Sequence, residues 1–201
     1  MIIIGYSGHA YVVCGILKAA GQAISGYCDK EQKDYNPFDL TYYGSEQSEK
    51  ALKVLEQKGG FIAIGINSVR NSVYHELSLK KIRFYNAVHP SAVIDPTAKI
   101  VDGNVMIAAG VLINPLAKVS EGVICNTGCI IDHECIIDEF AHIGPGSVLC
   151  GNVKIGRQAF VGANSVIRQG IRIGNNATIG AGAVVVKDVP DNVTVVGVPA
   201  R

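Results

Sequence analysis

From residue 107 onward, apolar residues recur at every sixth position. The first position of each hexad reads Ile107, Ile113, Val119, Cys125, Ile131, Ile137, Ile143, Leu149, Ile155, Val161, Ile167, Ile173, Ile179 and Val185, and only Cys125 is not aliphatic. The fifth position, from Val111 and Ala117 through Ser147 and Ser165 to Ala183, is small or β-branched. Neither a helical period nor the two-residue alternation of a hairpin strand does this over such a length. A six-residue period puts one apolar residue on each flat side of a coil; three sides close a triangular prism, and about 18 residues make one turn. Residues i and i+18 then stack, with successive coils about 4.8 Å apart. Glycine favours the second position, at Gly144, Gly156, Gly162, Gly174 and Gly180, which predicts tight corners with positive φ. Two earlier hexads, beginning at Ile94 and Ile100, join the register only if Met106 is an extra residue. The first coil is therefore expected to be out of phase.

The first 86 residues carry a different pattern. Short apolar runs at 2–4, 23–27, 61–64 and 84–85 are separated by helix-like stretches, which is βαβ alternation. Ser45 and Ser48, with Glu46 and Glu49, open a segment in which Ala51, Leu52, Val54 and Leu55 share one face, a capped helix start. The predicted architecture is a small Rossmann-like α/β domain over 1–86, a junction around Pro90, and a parallel β-helix over 87–201.

Composition narrows the function. Lysine and arginine total 18 against 17 aspartate and glutamate, too balanced for a phosphate-backbone partner, so nucleic acid is not expected. No apolar run reaches the 18 residues of a membrane span, and a cytoplasmic protein is expected. The six cysteines lack C-x-x-C spacing and read as small buried hydrophobes, with no structural metal expected.

Candidate chemistry falls in two places. The turn Gly5-Tyr6-Ser7-Gly8-His9 follows a strand and opens a helix, so its N–H groups could hold a phosphate. It holds only part of G-x-G-x-x-G, and a plain strand-to-helix connection is the alternative. Asp29 ends the next strand, where a carboxylate would meet a ribose or base; Gly65, Asn67 and Arg70 follow the third. In an open parallel sheet these ends line one crevice, and the alternative for each is ordinary turn and capping chemistry.

In the β-helix, Asp132-His133-Glu134 occupies a corner where side chains project outward. A carboxylate beside an imidazole fixes its tautomer and raises its basicity, as a general base requires; a solvated histidine with acidic neighbours is the other reading. The residue 18 positions on is Gly151, which leaves space and offers an N–H to a developing oxyanion. His142, at a sixth position, and Asn126, in a corner column, are further candidates. His75 and His89 read as structural.

These segments resemble the bacterial UDP-4-amino-sugar N-acetyltransferases of the bacillosamine type, within the left-handed β-helix hexapeptide acyltransferases. The likeness rests on Gly5 to Ala10, Phe61 to Asn67, Asn126-Thr127-Gly128, Asp132-His133-Glu134, Gly151 to Gly156 and Val196 to Arg201. It implies a left-handed coil and a homotrimer with active sites in clefts between neighbouring β-helices. It further implies that Ser7, Gly8 and His9 meet the diphosphate of a UDP-amino sugar, Asp29 the uracil or ribose, and Asn67 the nucleotide edge. His133 would be the base and Glu134 its polarising carboxylate, with His142 and Gly151 near the thioester of acetyl-CoA. The last coils would hold the rest of the coenzyme. Tyr6 stands where the family often carries a smaller residue.

The function expected from the residues and the resemblance together is direct acetyl transfer to a sugar 4-amine, without a covalent acyl-enzyme. The alternatives are O-acetylation of another acceptor such as sialic acid, or a nucleotide-binding β-helix protein that transfers no acyl group. A zinc hydratase needs three histidine ligands, and only His133 and His142 lie in the main repeat.

Overall fold

The computed structural model describes residues 1–201. Its N-terminal part is a three-stranded parallel sheet of β1 (Ile2–Ile4), β2 (Gly26–Cys28) and β3 (Gly60–Ile62), in the order β2-β1-β3. All nine strand residues are buried, as continuous apolar runs in a helix-flanked parallel sheet must be. Helices α1 (Gly8–Ala19), α2 (Glu49–Lys58) and α3 (Asn67–Leu79) follow the three strands. At the start of α2, the Ala51 N–H donates to Ser48 Oγ at 3.3 Å, while Ala51 and Leu55 pack against Ile2, Ile4 and Ile62. The apolar pair expected as a fourth strand makes only a bridge between Phe84 and Gly60.

Beyond that bridge, the outer edge of β3 is closed by a side chain. Ile62 N–H donates to Asn104 Oδ1 at 2.5 Å, and Asn104 Nδ2 donates to Ile62 O at 3.2 Å. The primary amide of a β-helix corner thus replaces a missing strand.

The second part is a left-handed parallel β-helix whose faces hold seven, six and five two-residue strands. Through the middle of the prism, partners such as Ile131 and Leu149 or Ile137 and Ile155 lie 18 apart. In the first coil Val88 stacks on Ile107 and Ile100 on Val119, an interval of 19. The extra residue sits ahead of Asn104 and not at Met106, which takes a regular strand position against Ala87. The last coil is short: Ile173 bridges Val189 and Ile179 pairs with Val195, an interval of 16.

The corners correct one expectation. Positive φ belongs to the fourth hexad position, from Gly110 through Glu134 and Phe140 to Gly182, and not to the second. Gly162 and the other second-position glycines have ordinary φ, and what they supply is room. A Cβ on Gly162 would stand 2.5 Å from Ala181 N and 2.7 Å from Ile179 O. The coils approach too closely there for any side chain.

The three outward faces differ. On the first, Ala87, Met106 and Ile124 are buried under the N-terminal domain, His142 is 8% exposed and Phe160, one coil further, 38%. The apolar core is continuous from Ile3, Ala10 and Val13 into the prism. The second face stacks Val93, Leu112, Ile130, Val148, Val166 and Val184, and the third Lys99, Lys118, Ile136, Lys154 and Arg172.

Candidate active site

The corner between the second and third faces carries Asp132, His133 and Glu134. Asp132 turns its carboxylate inward along the corner. Its Oδ1 accepts from Asn114 Nδ2 and from His133 N–H, each at 2.8 Å, and these bonds hold its carboxyl below the ordinary range, that from Asn114 most. His133 and Glu134 stay about half exposed, with Nδ1 3.1 Å from Glu134 Oε2. A carboxylate only accepts, so Nδ1 carries the proton and Nε2 keeps its lone pair. Glu134 holds this geometry at φ 60, a backbone conformation that a non-glycine residue adopts at a cost.

Gly151 lies directly against the imidazole. A Cβ there would overlap His133 Cε1 and Nε2. The Gly151 N–H donates to no carbonyl of the chain, whereas the next one, that of Asn152, bonds His133 O at 2.8 Å. Cys150, just before it, is the one cysteine not fully buried, while the other five are. Cys150 therefore departs from the expectation of buried cysteines: the column 132, 150, 168 runs along the edge and not inside the prism. Beside Glu134 a groove of about 400 Å³ is lined by Thr97, Lys99, Lys118, Ile136, Asn152 and Lys154 among others. No acidic side chain pairs with its three lysines. The lysines were not singled out from sequence, although sixth positions 18 or 19 apart are the signal that locates them.

A second cluster fills the crevice between the strand ends of the N-terminal domain and the first face of the β-helix. Ser7 is the N-cap of α1, with no side-chain cap, and Gly8 and His9 open the helix. His9 lies with its ring centre 6.2 Å from that of His142 and packs over Gly65, whose Cβ would be 3.7 Å from it. His142 sits on a strand under the domain and not at a corner, because the sixth position faces outward from a flat side. Its Nε2 is 3.1 Å from Asn126 Nδ2. Asn126 Oδ1 already accepts from the Thr127 N–H at 2.8 Å, so the amide donates and the His142 proton lies on Nδ1. His9 Nε2 and His142 Nδ1 are buried without a partner. Burial, reinforced by Arg70, pulls His9 down to about 4 and His142 to about 3. Both are neutral at pH 7.

Three crevice candidates have other work. Asp29 Oδ2 accepts the Tyr6 N–H at 2.7 Å and Oδ1 lies 3.4 Å from Lys33 Nζ, so the carboxylate first fixes the glycine turn. Tyr6 is no obstacle to a phosphate, because its ring turns into the core and stacks on Tyr27 at 4.2 Å. Asn67 Nδ2 donates to Gln158 O at 2.9 Å and Ala159 O at 3.2 Å, and its Oδ1 accepts from Arg70 Nη2. Both donors of its amide nitrogen thus join the domains, and only its oxygen has a lone pair left to accept from a ligand. Arg70 is fully buried and presents nothing to the crevice.

The two clusters lie on different edges of the prism. One chain brings His133, Glu134 and Gly151 together, and separately Ser7, Gly8, His9, Gly65, Asn126 and His142. It does not join the two.

A hexapeptide β-helix carrying a Rossmann-like domain and an imidazole–carboxylate corner defines a class, the β-helix acyltransferases. The model of the PglD N-terminal domain family matches residues 1–77, and that of the bacterial transferase hexapeptide (six repeats) matches 134–169 and 152–187. PerB of Caulobacter crescentus, solved in complex with CoA and GDP-perosamine, is 36% identical, covers 100% of this chain and 95% of its own, and superposes with a TM-score of 0.91. The acetyltransferase domain of PglB from Neisseria gonorrhoeae, in complex with acetyl coenzyme A, is 30% identical over 100% and 97% of the two chains, with a TM-score of 0.92. The UDP-N-acetylbacillosamine N-acetyltransferase of Bacillus subtilis is 33% identical over 108 residues, 53% of this chain and 50% of that protein. Matches to the curated relatives span about half their length. The chain belongs to the PglD-type family of hexapeptide-repeat sugar N-acetyltransferases.

Proposed function

We propose that this protein transfers the acetyl group of acetyl-CoA to the 4-amino group of a nucleotide-linked amino-deoxy sugar, with UDP as the nucleotide. The observation that carries the reading is the corner where His133 Nε2 is left free by the Nδ1–Glu134 pair and lies against the bare backbone of Gly151. The sugar amine attacks the thioester carbon and gives its proton to His133 Nε2. A C–N bond forms, the oxyanion takes a hydrogen bond from Gly151 N–H, and the C–S bond breaks as His133 returns the proton to the departing thiolate. No covalent acyl-enzyme is required.

Residues 1–86 act as the nucleotide-sugar domain and 87–201 as the acetyltransferase domain. Ser7, Gly8 and His9, at the uncapped start of α1, take the diphosphate, Asp29 reaches the ribose or base with the oxygen not bonded to Tyr6, and Gly65 lines the crevice. Asn126 binds substrate, while His142 and Gly151 flank the thioester. The lysines of the groove beside Glu134 supply positive charge to phosphate-bearing ligands.

A homotrimer is part of the proposal. His133 and the crevice with His142 sit on separate edges of one chain, and the aliphatic second face offers a ladder for a neighbouring copy. No helix is long and apolar enough to cross a membrane, and we place the enzyme in the cytoplasm.

The likeness to PerB, whose structure holds GDP-perosamine, favours a second reading in which the nucleotide is GDP. Coenzyme A release measured against UDP- and GDP-linked 4-amino sugars, with sialic acid as an acceptor control, tests both. Release with neither nucleotide sugar would refute the proposal.

A further inference from the structure

Arg70 is the one fully buried cation, and every one of its donors is used. Nε donates to Gly122 O at 2.7 Å, Nη1 to Ile64 O at 3.0 Å and Gly65 O at 3.2 Å, and Nη2 to Asn67 Oδ1 at 2.9 Å and Phe140 O at 2.7 Å. All five acceptors are neutral oxygens. Three belong to the segment after β3 and two to corners of the β-helix, so the guanidinium straddles the domain boundary. Burying an ion without a counter-ion is expensive, and simple docking needs none. Phe140, held at φ 59 against Tyr74 and His75, already packs the same junction with apolar surface.

The uncompensated charge acts on its surroundings. Arg70 is the charged group that bears on both His9 and His142. Asn126, Phe160 and the Gly65 backbone also lie against the two rings, and no carboxylate pairs with the guanidinium. Each ring keeps one buried nitrogen without a partner. On His142 that nitrogen carries the proton, and the Gly65 carbonyl acts on it only weakly, favouring the charged form.

We infer that Arg70 is a positioning residue that ties the nucleotide crevice to the β-helix, fixes the Gly65 backbone against which His9 packs, and leaves a net positive charge for the substrate diphosphate. A fixed cation that donates all its hydrogen bonds to the protein cannot clamp the phosphate or compete with it for solvent. It makes the crevice electropositive while the uncapped start of α1 at Ser7, Gly8 and His9 supplies the directional contacts. Were His142 protonated, its Nε2 would become a donor, and the Asn126 amide could face it only by flipping and giving up the Thr127 N–H. The diphosphate role rests on the acetyltransferase reading; the protonation state of the imidazoles does not.

The test combines nitrogen-15 NMR of histidine side chains in the intact protein with steady-state kinetics of Arg70→Lys and Arg70→Met across pH. In the unaltered protein, two of the five histidines should stay neutral from pH 7 to 5, one of them as the Nδ1–H tautomer. In Arg70→Met, their titration midpoints should rise measurably while burial still holds them below the ordinary histidine range, and KM for the nucleotide sugar should rise about tenfold, with KM for acetyl-CoA little changed. Arg70→Lys keeps the charge, so it should keep both imidazoles neutral and recover most of the affinity. All five histidines titrating near 6.5 in the unaltered protein would overturn the inference without any variant having to fold. So would equal rises in KM for both substrates in the lysine and methionine variants, the pattern of a purely structural pin. If no nucleotide sugar is acetylated, the acetyltransferase reading fails while the NMR result still decides the imidazole states.

Discussion

The imidazole of His133 lies on the backbone of Gly151, one coil away in the stack, so closely that a methyl group on the glycine would overlap the ring's Cε1 and Nε2. Gly151 has an ordinary φ, so alanine is acceptable to the backbone and unacceptable only to the ring. Gly151→Ala should fold with a near-normal melting temperature and lose about 10²-fold or more in kcat, with KM for the nucleotide sugar within a few-fold of normal. Wild-type turnover in this variant would show that the ring position is not used.

His133→Ala should lower turnover by about 10² to 10⁴-fold, the usual contribution of a general base. Glu134→Gln separates orientation from charge. The amide can still accept from Nδ1–H, but the imidazolium formed on proton transfer loses its anionic neighbour. A loss in kcat smaller than that of Glu134→Ala, which removes the hydrogen-bond acceptor as well as the charge, is expected. Equal losses in both Glu134 variants would assign its role to charge alone.

How far the sequence carried this picture varied by residue. The aliphatic hexads and the 18-residue spacing located the prism and the His133–Gly151 stack, because the period is geometric and each side chain has one place to go. The corner conformation was assigned to the wrong hexad position, because glycine has two uses, positive φ and close approach, which composition cannot separate. The joining of the domains was not legible. Asn104 closing the edge of β3, and Asn67 and Arg70 spending their polar atoms across the boundary, pair residues up to 92 positions apart, with no local pattern to reveal them. His142 was found as a candidate but not as a buried one, since its burial comes from the other domain.

Cys150 stands at the corner proposed to react, only partly buried and one residue before Gly151. Direct transfer has no use for it, and its carbonyl, which accepts from Cys135 Sγ at 3.2 Å, survives replacement of the side chain. Cys150→Ser should retain turnover within about threefold, since a small side chain at a partly exposed site changes little. Mass spectrometry of enzyme quenched during turnover with acetyl-CoA should find no acetylated cysteine. A labelled Cys150 combined with an inactive serine variant would replace the direct mechanism by a two-step one.

Acid should destabilise the protein through His9 and His142. In the folded chain they hold protons only near pH 4 and 3, whereas in the unfolded chain they do so near 6.5. The unfolded state therefore binds more protons as pH falls below about 6.5, and stability present above that pH is lost progressively toward pH 4. With two such groups the slope approaches about 2.7 kcal/mol per pH unit in the middle of the window. Chemical denaturation at pH 7, 6 and 5 measures it, and His9→Gln should reduce the slope by about half. A flat profile across this range would mean that both rings are open to solvent.

The proposed trimer makes the sharpest demand, because each reaction would draw on two chains. His133 stands between the second and third faces of its prism, while Asn126 and His142 line the crevice over the first. Facing copies through the ladder of Ile130, Val148 and Val166 is the arrangement that could join one chain's corner to its neighbour's crevice. Val148→Asp would place a charge at the centre of that ladder and should yield monomers by light scattering, with activity lost although His133 and Gly151 are untouched. Complementation provides the stricter form. His133→Ala and His142→Ala are each expected to be nearly inactive. If every site takes His133 from one chain and His142 from the next, subunits exchanged at random should restore about a quarter of the sites. If both residues serve the same chain's site, the mixture stays as inactive as its components, and the shared-site trimer is wrong even should the protein sediment as one.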